Sequence, residues 1–433
     1  MIRQAVVLCG GQGTRLGHLV ADVPKPMLPI AGKPVLDHAL DRLREAGITD
    51  VVLAAGYKAD VIREHYAVPM PGMSIRVFEE DAPLGTAGCV RELLPELAEQ
   101  FVVLYGDVFI DFAVGELLRA HRPGAFATLL VRPSDHPWDS DLIEVGEHGT
   151  ITRFLPAGTE RHLPRNVANA AIYVVDRKLV ELLPPRTKAD WVRDLFPRAI
   201  EAGMPLGVHE FSGEGFLRDM GTPGRLERVQ RYGEEKAMIA AARTTRRPIR
   251  TVFLDRDGVI NENVGLVCSP DDFRLLPGAG PAIARLNAAE LNVIVVTNQP
   301  VIARGLCTED TLAAIHARMR ALLAEHNARV DAIHFCPHHP ETHHADPESR
   351  RELRVACECR KPAPGMLLAA AREHGIDLAA SVLVGDRSVD ILAARRAGIR
   401  SILVGDAASD PPPDFRRATL RDAVDGILSG EIT

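Results

Sequence analysis

Short apolar runs rich in β-branched residues recur along the chain and alternate with stretches of helical period. AVVLCGG (5–11) reads as a strand ending in a Gly-rich turn, and VLDHALDRLREAG (35–47) as an amphipathic helix stopped at Gly47. VVLAAGY, IRVFEE, FVVLYGD, FATLLVR and AIYVVD follow as further strands. Near residue 225 the pattern changes: RLERVQRYGEEKAMIAAARTTRRP (225–248) is charged, helix-prone and closed by Pro248. A second strand series then starts at TVFLD (251–255) and continues through VIVVTN (293–298), AIHFC (332–336), SVLVGD (381–386) and SILVGD (401–406). Strands alternating with helices predict an α/β fold, here two doubly wound domains whose mostly parallel sheets are covered on both faces. The expected division is 1–230, a helical linker at 231–249, and 250–433. The halves share no internal repeat, and DPPPDF (410–415) reads as a Pro-rich turn.

Composition narrows the class. A length of 433 residues suits two or three domains, and 46% apolar with 25% charged residues is ordinary for a soluble globular chain. No apolar run approaches the roughly 20 residues needed to span a bilayer, and the first residues run straight into a strand with no sign of a cleavable leader. A net charge of −7 argues against a general nucleic-acid binder. Of seven cysteines, Cys9, Cys89, Cys268 and Cys307 are scattered, which suits a reducing cytoplasm better than a disulfide framework. Self-association is left open.

Two stretches carry chemistry in the first half. In LCGGQGTRLG (8–17), Gly10, Gly11 and Gly13 free the backbone N–H groups to approach phosphates, and Arg15 can neutralise charge on a leaving pyrophosphate. PKPMLPIAGKP (24–34) supplies Lys25 for the same purpose. G-G-x-G-T-R-L followed by P-K-P-M-L-P resembles the signature of the sugar-1-phosphate nucleotidylyltransferases over about residues 1–230. The resemblance implies a Rossmann-like fold and a nucleotide site at Leu8, Gly10, Gly11, Gly13 and Thr14. Glu80 and PLGTAG (83–88), with Gly85 and Thr86, would recognise base and ribose. Asp107 and Asp219 would hold Mg²⁺, and Asn169 would contact the sugar. The stretch ADWVRDLFP (189–197) departs from the family pattern, with Trp191, Val192 and Arg193 where an acidic sugar contact is usual.

In the second half, D-x-D-G-V after a buried strand resembles the first motif of the haloacid-dehalogenase-like phosphatases, over about residues 250–430. Asp255 would be the nucleophile that becomes an aspartyl-phosphate, and Asp257 the general acid and base. Thr297 and Asn298 would follow at the next strand end, with Lys361 as counter-charge. Asp255, Asp257 and Asp386 would hold Mg²⁺, with Asp390 in support.

The cysteine cluster CPHHPETHHADPESRRELRVACECRKP (336–362) gives three thiolates and one imidazole, a closed structural zinc set. Cys336, His338, Cys357 and Cys359 are the expected ligands, with His339, His343 and His344 as competitors. Such a loop resembles the D-glycero-D-manno-heptose 1,7-bisphosphate 7-phosphatases and the related histidinol phosphatases. By that resemblance Arg304 and Arg360 would contact substrate. Pro300 and Val301 replace the more usual Ser-Gly.

Together the resemblances imply consecutive reactions. A 7-phosphatase would make heptose 1-phosphate, and a guanylyltransferase would join it to GMP from GTP, giving GDP-heptose for surface glycans. The alternatives are another sugar such as mannose 1-phosphate with another nucleotide, a phosphatase for histidinol phosphate or another small sugar phosphate, and one half that is a non-catalytic module binding only nucleotide sugar. The implied partners are the small-molecule substrates, with no nucleic acid and no membrane.

Overall fold

The computed structural model describes residues 2–11, 13–20, 22–133, 140–155, 167–211, 215–340, 350–432. The chain divides into two compact units, Met1–Glu234 and Glu235–Thr433. The helix Pro223–Thr244 begins in the first and ends in the second. Among the described residues no helix is long and apolar enough to cross a membrane.

The first unit is built on a mixed sheet. Its main path runs Ile151–Leu155, Leu142–Val145, Val167–Asp176, Gln100–Tyr105, Gln4–Cys9, Asp50–Ala55, Ser74–Glu79. Ala127–Pro133 pairs with Val167–Asp176, and Leu206–Glu210 pairs with Ala127–Pro133. The strands around Gln4–Cys9 are parallel, whereas Val167–Asp176 runs antiparallel to its neighbours. Apolar runs report burial and not direction, so the periodicity gave no warning of that reversal. Helix Val35–Glu45 buries Val35, Leu36, Ala39, Leu40 and Leu43, the apolar stripe of a 3.6-residue period. Fully burying a valine or leucine of that stripe is worth about 1.5–3 kcal/mol.

The second unit has a six-stranded parallel sheet in the order Ala332–Cys336, Asn292–Asn298, Thr251–Leu254, Ser381–Gly385, Arg400–Val404, Phe415–Arg417. The chain winds outward on one side of Thr251–Leu254 and then on the other. The carboxyl ends beside this reversal point form the crevice where open α/β sheets bind ligands. Asp255, Thr297 and Asp386 all lie at those ends.

Candidate active sites

Strand Gln4–Cys9 delivers the Gly-rich turn to one mouth of the first sheet. Gly10 packs against the neighbouring strand end: a Cβ on Gly56 would lie 3.3 Å from the Gly10 Cα, and one on Gly10 would lie 3.6 Å from Glu80 Oε2. Beside it is a cavity of about 420 Å³ lined by Leu8, Gly10, Gly11, Gly13, Arg15, Lys25, Glu80, Gly85, Thr86 and Asp107. The sequence-predicted nucleotide residues are therefore gathered, apart from Thr14, whose side chain lies outside the described residues. Glu80 Oε1 is buried with no hydrogen-bond partner. Burial pushes that carboxyl above its ordinary range, against the pull of the Leu84 backbone. An orphaned acceptor at a cavity wall is where a ligand donor fits.

Two expected contacts point inward instead. The Thr86 hydroxyl donates to Asp190 Oδ2 at 2.6 Å and accepts from the Trp191 N–H at 3.3 Å. Gly85, at φ +78, is required by backbone packing, because a Cβ there would stand 2.6 Å from the Ala189 carbonyl oxygen. That carbonyl accepts from the N–H groups of Ala87 and Gly88.

A second hollow of about 240 Å³ adjoins Tyr105 and is lined by Arg132, Asp141, Asn169, Asp190, Asp219 and Arg225. Asn169 is held by donation to the Tyr173 hydroxyl at 2.7 Å and by the Ala171 N–H at 3.0 Å. The departure at 189–193 has a structural reason. Trp191 and Val192 are core residues, and Trp191 packs on Tyr173 and Phe196. The carboxylate that reaches the hollow comes from Asp190, which also caps the short helix Trp191–Leu195 through the N–H groups of Val192 and Arg193. Sequence reading missed Asp190; its signal was an acidic residue directly before a core tryptophan.

Asp107 and Asp219 stand side by side. Asp219 closes strand Phe216–Asp219 opposite Val108, and the Met220 N–H donates to the Asp107 carbonyl at 3.2 Å. Lys25 Nζ lies 2.5 Å from Asp107 Oδ2, and Arg225 Nη1 lies 3.0 Å from Asp219 Oδ1. Burial works to raise the Asp219 carboxyl, but the Gly221 N–H, Arg225 and Lys25 together hold it below its usual range. Asp107 at the first cavity and Asp219 at the second hollow offer carboxylate oxygens, the donor type that fits Mg²⁺.

In the second unit Asp255 is fully buried. Lys361 Nζ lies 2.9 Å from Asp255 Oδ1 and 2.6 Å from Asp390 Oδ1, and donates to the Val296 carbonyl at 2.8 Å. Burial pushes the Asp255 carboxyl up; Lys361 opposes this, and Asp390 and Asp257 add to it. Asp255 Oδ2 and Asp386 Oδ1 are buried without a hydrogen-bond partner, with Arg387 at 3.9 Å and 3.5 Å as their ion-pair neighbour, and Asp255, Asp386 and Asp390 bring oxygens within 4.8 Å of one another. That all-oxygen carboxylate set fits Mg²⁺. Gly258 is required here, since its Cβ would lie 2.1 Å from Asp386 Oδ2.

Asp257 is gripped from three sides. Arg256 reaches both of its oxygens at 2.9 and 3.0 Å, Asn261 donates at 2.9 Å, and Gln299 at 2.9 Å. Gln299 also donates to the Thr297 hydroxyl at 2.8 Å. Arg256 is wholly buried, with its guanidinium 6.0 Å from the Phe273 ring centre. His316 Nε2 faces Arg256 at 3.4 Å and, opposite a permanent donor, acts as acceptor; burial and then the charges of Arg256 and Arg320 pull its imidazole down to about 4. Arg256, Asn261, Gln299 and His316 were not singled out from sequence, although Arg256 sits inside the D-x-D motif.

Asn298 faces the backbone of Lys361 and not the carboxylates, while Arg304 meets His339 Nε2 at 3.2 Å and Arg360 donates to the His338 carbonyl at 3.0 Å. The expected metal ligands converge. Cys336 Sγ lies 3.5 Å from Cys357 Sγ and 3.6 Å from His338 Nδ1, and Cys359 Sγ lies 3.2 Å and 3.3 Å from the Cys336 and Cys357 sulfurs. Tetrahedral zinc with Zn–S bonds of about 2.3 Å needs edges near 3.8 Å, so a small expansion of this nest accommodates it. His339 is taken up by Arg304, and His343 and His344 lie outside the described residues.

A nucleotidyl transferase family model matches residues 4–236, and a HAD-hydrolase-like model matches residues 358–423. A D-glycero-beta-D-manno-heptose-1,7-bisphosphate 7-phosphatase of Rhodopseudomonas palustris is 44% identical over 158 residues, covering 36% of this chain and 83% of the relative. A mannose-1-phosphate guanylyltransferase of Mycobacterium tuberculosis is 34% identical over 223 residues, covering 51% of this chain and 61% of the relative, so the chain spans less than two thirds of that protein. Among solved structures, a D,D-heptose 1,7-bisphosphate phosphatase from B. bronchiseptica with magnesium and phosphate is 37% identical, covers 42% of this chain and 99% of its own, and gives a TM-score of 0.37. The chain therefore belongs to the nucleotidyl transferase family through its first half and to the heptose-1,7-bisphosphate 7-phosphatases through its second.

Proposed function

We propose that the chain is a bifunctional enzyme of nucleotide-sugar synthesis. Its second half removes the 7-phosphate of D-glycero-D-manno-heptose 1,7-bisphosphate, and its first half transfers GMP from GTP to the resulting heptose 1-phosphate. The observation that carries this reading is the presence of both constellations, one around Asp255 and Lys361 and one around Lys25 and Asp107, in a single chain. One reaction makes the substrate of the other. The proposal places the enzyme in the cytoplasm.

In the phosphatase half, Asp255 attacks the 7-phosphorus and the bond to the sugar oxygen breaks. Asp257 gives that oxygen its proton. Asp257 then takes a proton from water, which attacks the aspartyl-phosphate and frees Asp255 and inorganic phosphate. Lys361 stabilises Asp255 as a carboxylate through each cycle. Gln299 ties Asp257 to Thr297, the hydroxyl proposed to hold the phosphoryl group. In the transferase half, a 1-phosphate oxygen attacks the α-phosphorus of GTP and pyrophosphate leaves. Arg15 and Lys25 take up its charge, and Glu80 accepts from the guanine N–H groups. Asp255 and Asp386 in one half, and Asp107 and Asp219 in the other, would hold Mg²⁺, which would supply charge neutralisation at the phosphate oxygens. Cys336, His338, Cys357 and Cys359 would hold zinc, which would fix the loop that carries Arg360 and Lys361.

A product assay tests the whole scheme. Purified protein with Mg²⁺ receives the α- or the β-1,7-bisphosphate with each common NTP, and products are read by mass spectrometry. GDP-heptose with stoichiometric phosphate release is the expected result, and the anomer that passes both steps identifies the substrate. Phosphate release without any nucleotide sugar would overturn the transferase half of the proposal. Asp255→Asn should abolish phosphate release and leave nucleotidyl transfer from heptose 1-phosphate intact.

A further inference from the structure

In the first unit each carboxylate proposed to hold the divalent cation is already clasped by a cation of the protein. Lys25 takes Asp107 at 2.5 Å. Arg225 Nη1 bridges Asp219, at 3.0 Å from one oxygen and 3.3 Å from the other. A single nitrogen shared by both oxygens occupies the open side of the carboxylate. The Gly221 N–H also donates to Oδ1, at 2.9 Å. A divalent cation needs oxygen ligands at about 2.1 Å. It would compete with the guanidinium for the same lone pairs and repel its charge. Arg225 also lines the hollow that holds Asn169, Asp141 and Asp190, so a displaced guanidinium has somewhere to turn. Its planar fork of N–H donors suits a phosphate.

We infer that Arg225 is a built-in counter-cation of Asp219 that yields the carboxylate to the divalent cation and turns to the phosphate of the sugar 1-phosphate. This deepens the proposed transferase reading and rests on Asp219 being a cation ligand. The free enzyme never exposes two adjacent bare carboxylates, and its affinity for the cation is held down by the internal competitor. A sugar 1-phosphate that draws Arg225 away removes the competition. Cation and sugar phosphate then each strengthen the binding of the other by the same factor. Lys25 faces the nucleotide cavity and Arg225 faces the second hollow, so the two cations serve different substrates.

The test measures Mn²⁺ binding by electron paramagnetic resonance on the full chain. Asp386→Asn is placed in the background to silence the phosphatase cation site. Without nucleotide, addition of D-glycero-D-manno-heptose 1-phosphate should tighten Mn²⁺ binding several-fold. Arg225→Gln should bind Mn²⁺ several-fold more tightly than the parent with no sugar present, and should lose the sugar-dependent gain. Arg225→Lys keeps the charge and should stay close to the parent. Equal or weaker Mn²⁺ binding by a folded Arg225→Gln chain would overturn the inference, making Arg225 a mere support for Asp219. Asp219→Asn separates the two failures: undiminished binding there would refute Asp219 as a ligand, and with it the reading on which the inference stands.

Discussion

The side chain of Asn298 is locked to the backbone of Lys361. Its amide donates to the Lys361 carbonyl at 2.9 Å and accepts the Lys361 N–H at 3.0 Å. This reciprocal pair fixes where the long side chain of Lys361 departs toward Asp255. Asn298→Ala should lower phosphatase kcat about tenfold or more, on the order of 1.4 kcal/mol of transition-state stabilisation, with a smaller change in KM. Steady-state kinetics with Asn298→Asp beside it checks this, because Asp keeps the acceptor and loses the donor. Wild-type rates in both variants would make the lock incidental.

Lys361 itself is almost fully buried between Asp255 and Asp390. Lys361→Met would leave two buried carboxylates without their cation, a defect that costs about 3–5 kcal/mol. The second unit should lose phosphatase activity and unfold at lower denaturant concentration. Chemical denaturation followed by hydrogen exchange of the strand Thr251–Leu254 reads this directly. Unchanged protection of that strand would contradict the structural account.

Glu80 gives the transferase half a pH signature. Its folded-state carboxyl titrates above the ordinary range because it is buried beside the cavity. Guanine donors need the carboxylate, so GTP affinity should decline as pH falls through that raised value, and GTP binding at mildly acidic pH should release a proton. Calorimetry in buffers of different ionisation enthalpy measures the proton count. Glu80→Gln should flatten the profile and narrow the preference for GTP over ATP. A preference for GTP that survives the substitution would remove Glu80 from base recognition.

Removal of zinc should affect one half. Cys359 immediately precedes Arg360 and Lys361, and Arg360 is tied to the His338 carbonyl. Cys357→Ser should reduce bound zinc from one per chain toward none by mass spectrometry of the metal, cut phosphatase activity and spare nucleotidyl transfer. An active, zinc-free chain would make the thiols idle.

Much of this was legible from single segments, because each strand end carries its own chemistry. Asp255, Thr297 and Asp386 are each legible through the resemblance of a short strand-end motif to the phosphatase family, and the parallel sheet gathers them. Features built from distant segments were not legible. Asp190 meets Thr86 across 104 positions, and neither stretch alone suggests the other. The reading of 189–193 faltered because Trp191 and Val192 serve the core, a role that no local pattern separates from a sugar contact. Arg256 was hidden for a different reason: a charged residue in a variable motif position looks exposed, yet here it is wholly buried against Asp257 and His316.

The glycines at 85 and 88 interlock with the backbone of residues 187–189. A Cβ on Gly88 would lie 2.3 Å from the Thr187 carbonyl oxygen, as one on Gly85 would crowd Ala189. The loop beside Glu80 and the turn that presents Asp190 thus form one casting. Retargeting this enzyme to a new sugar by grafting loops would shift its choice of nucleotide as well. Residues 83–88 and 187–195 form a single cassette for protein engineering, to be exchanged together or not at all.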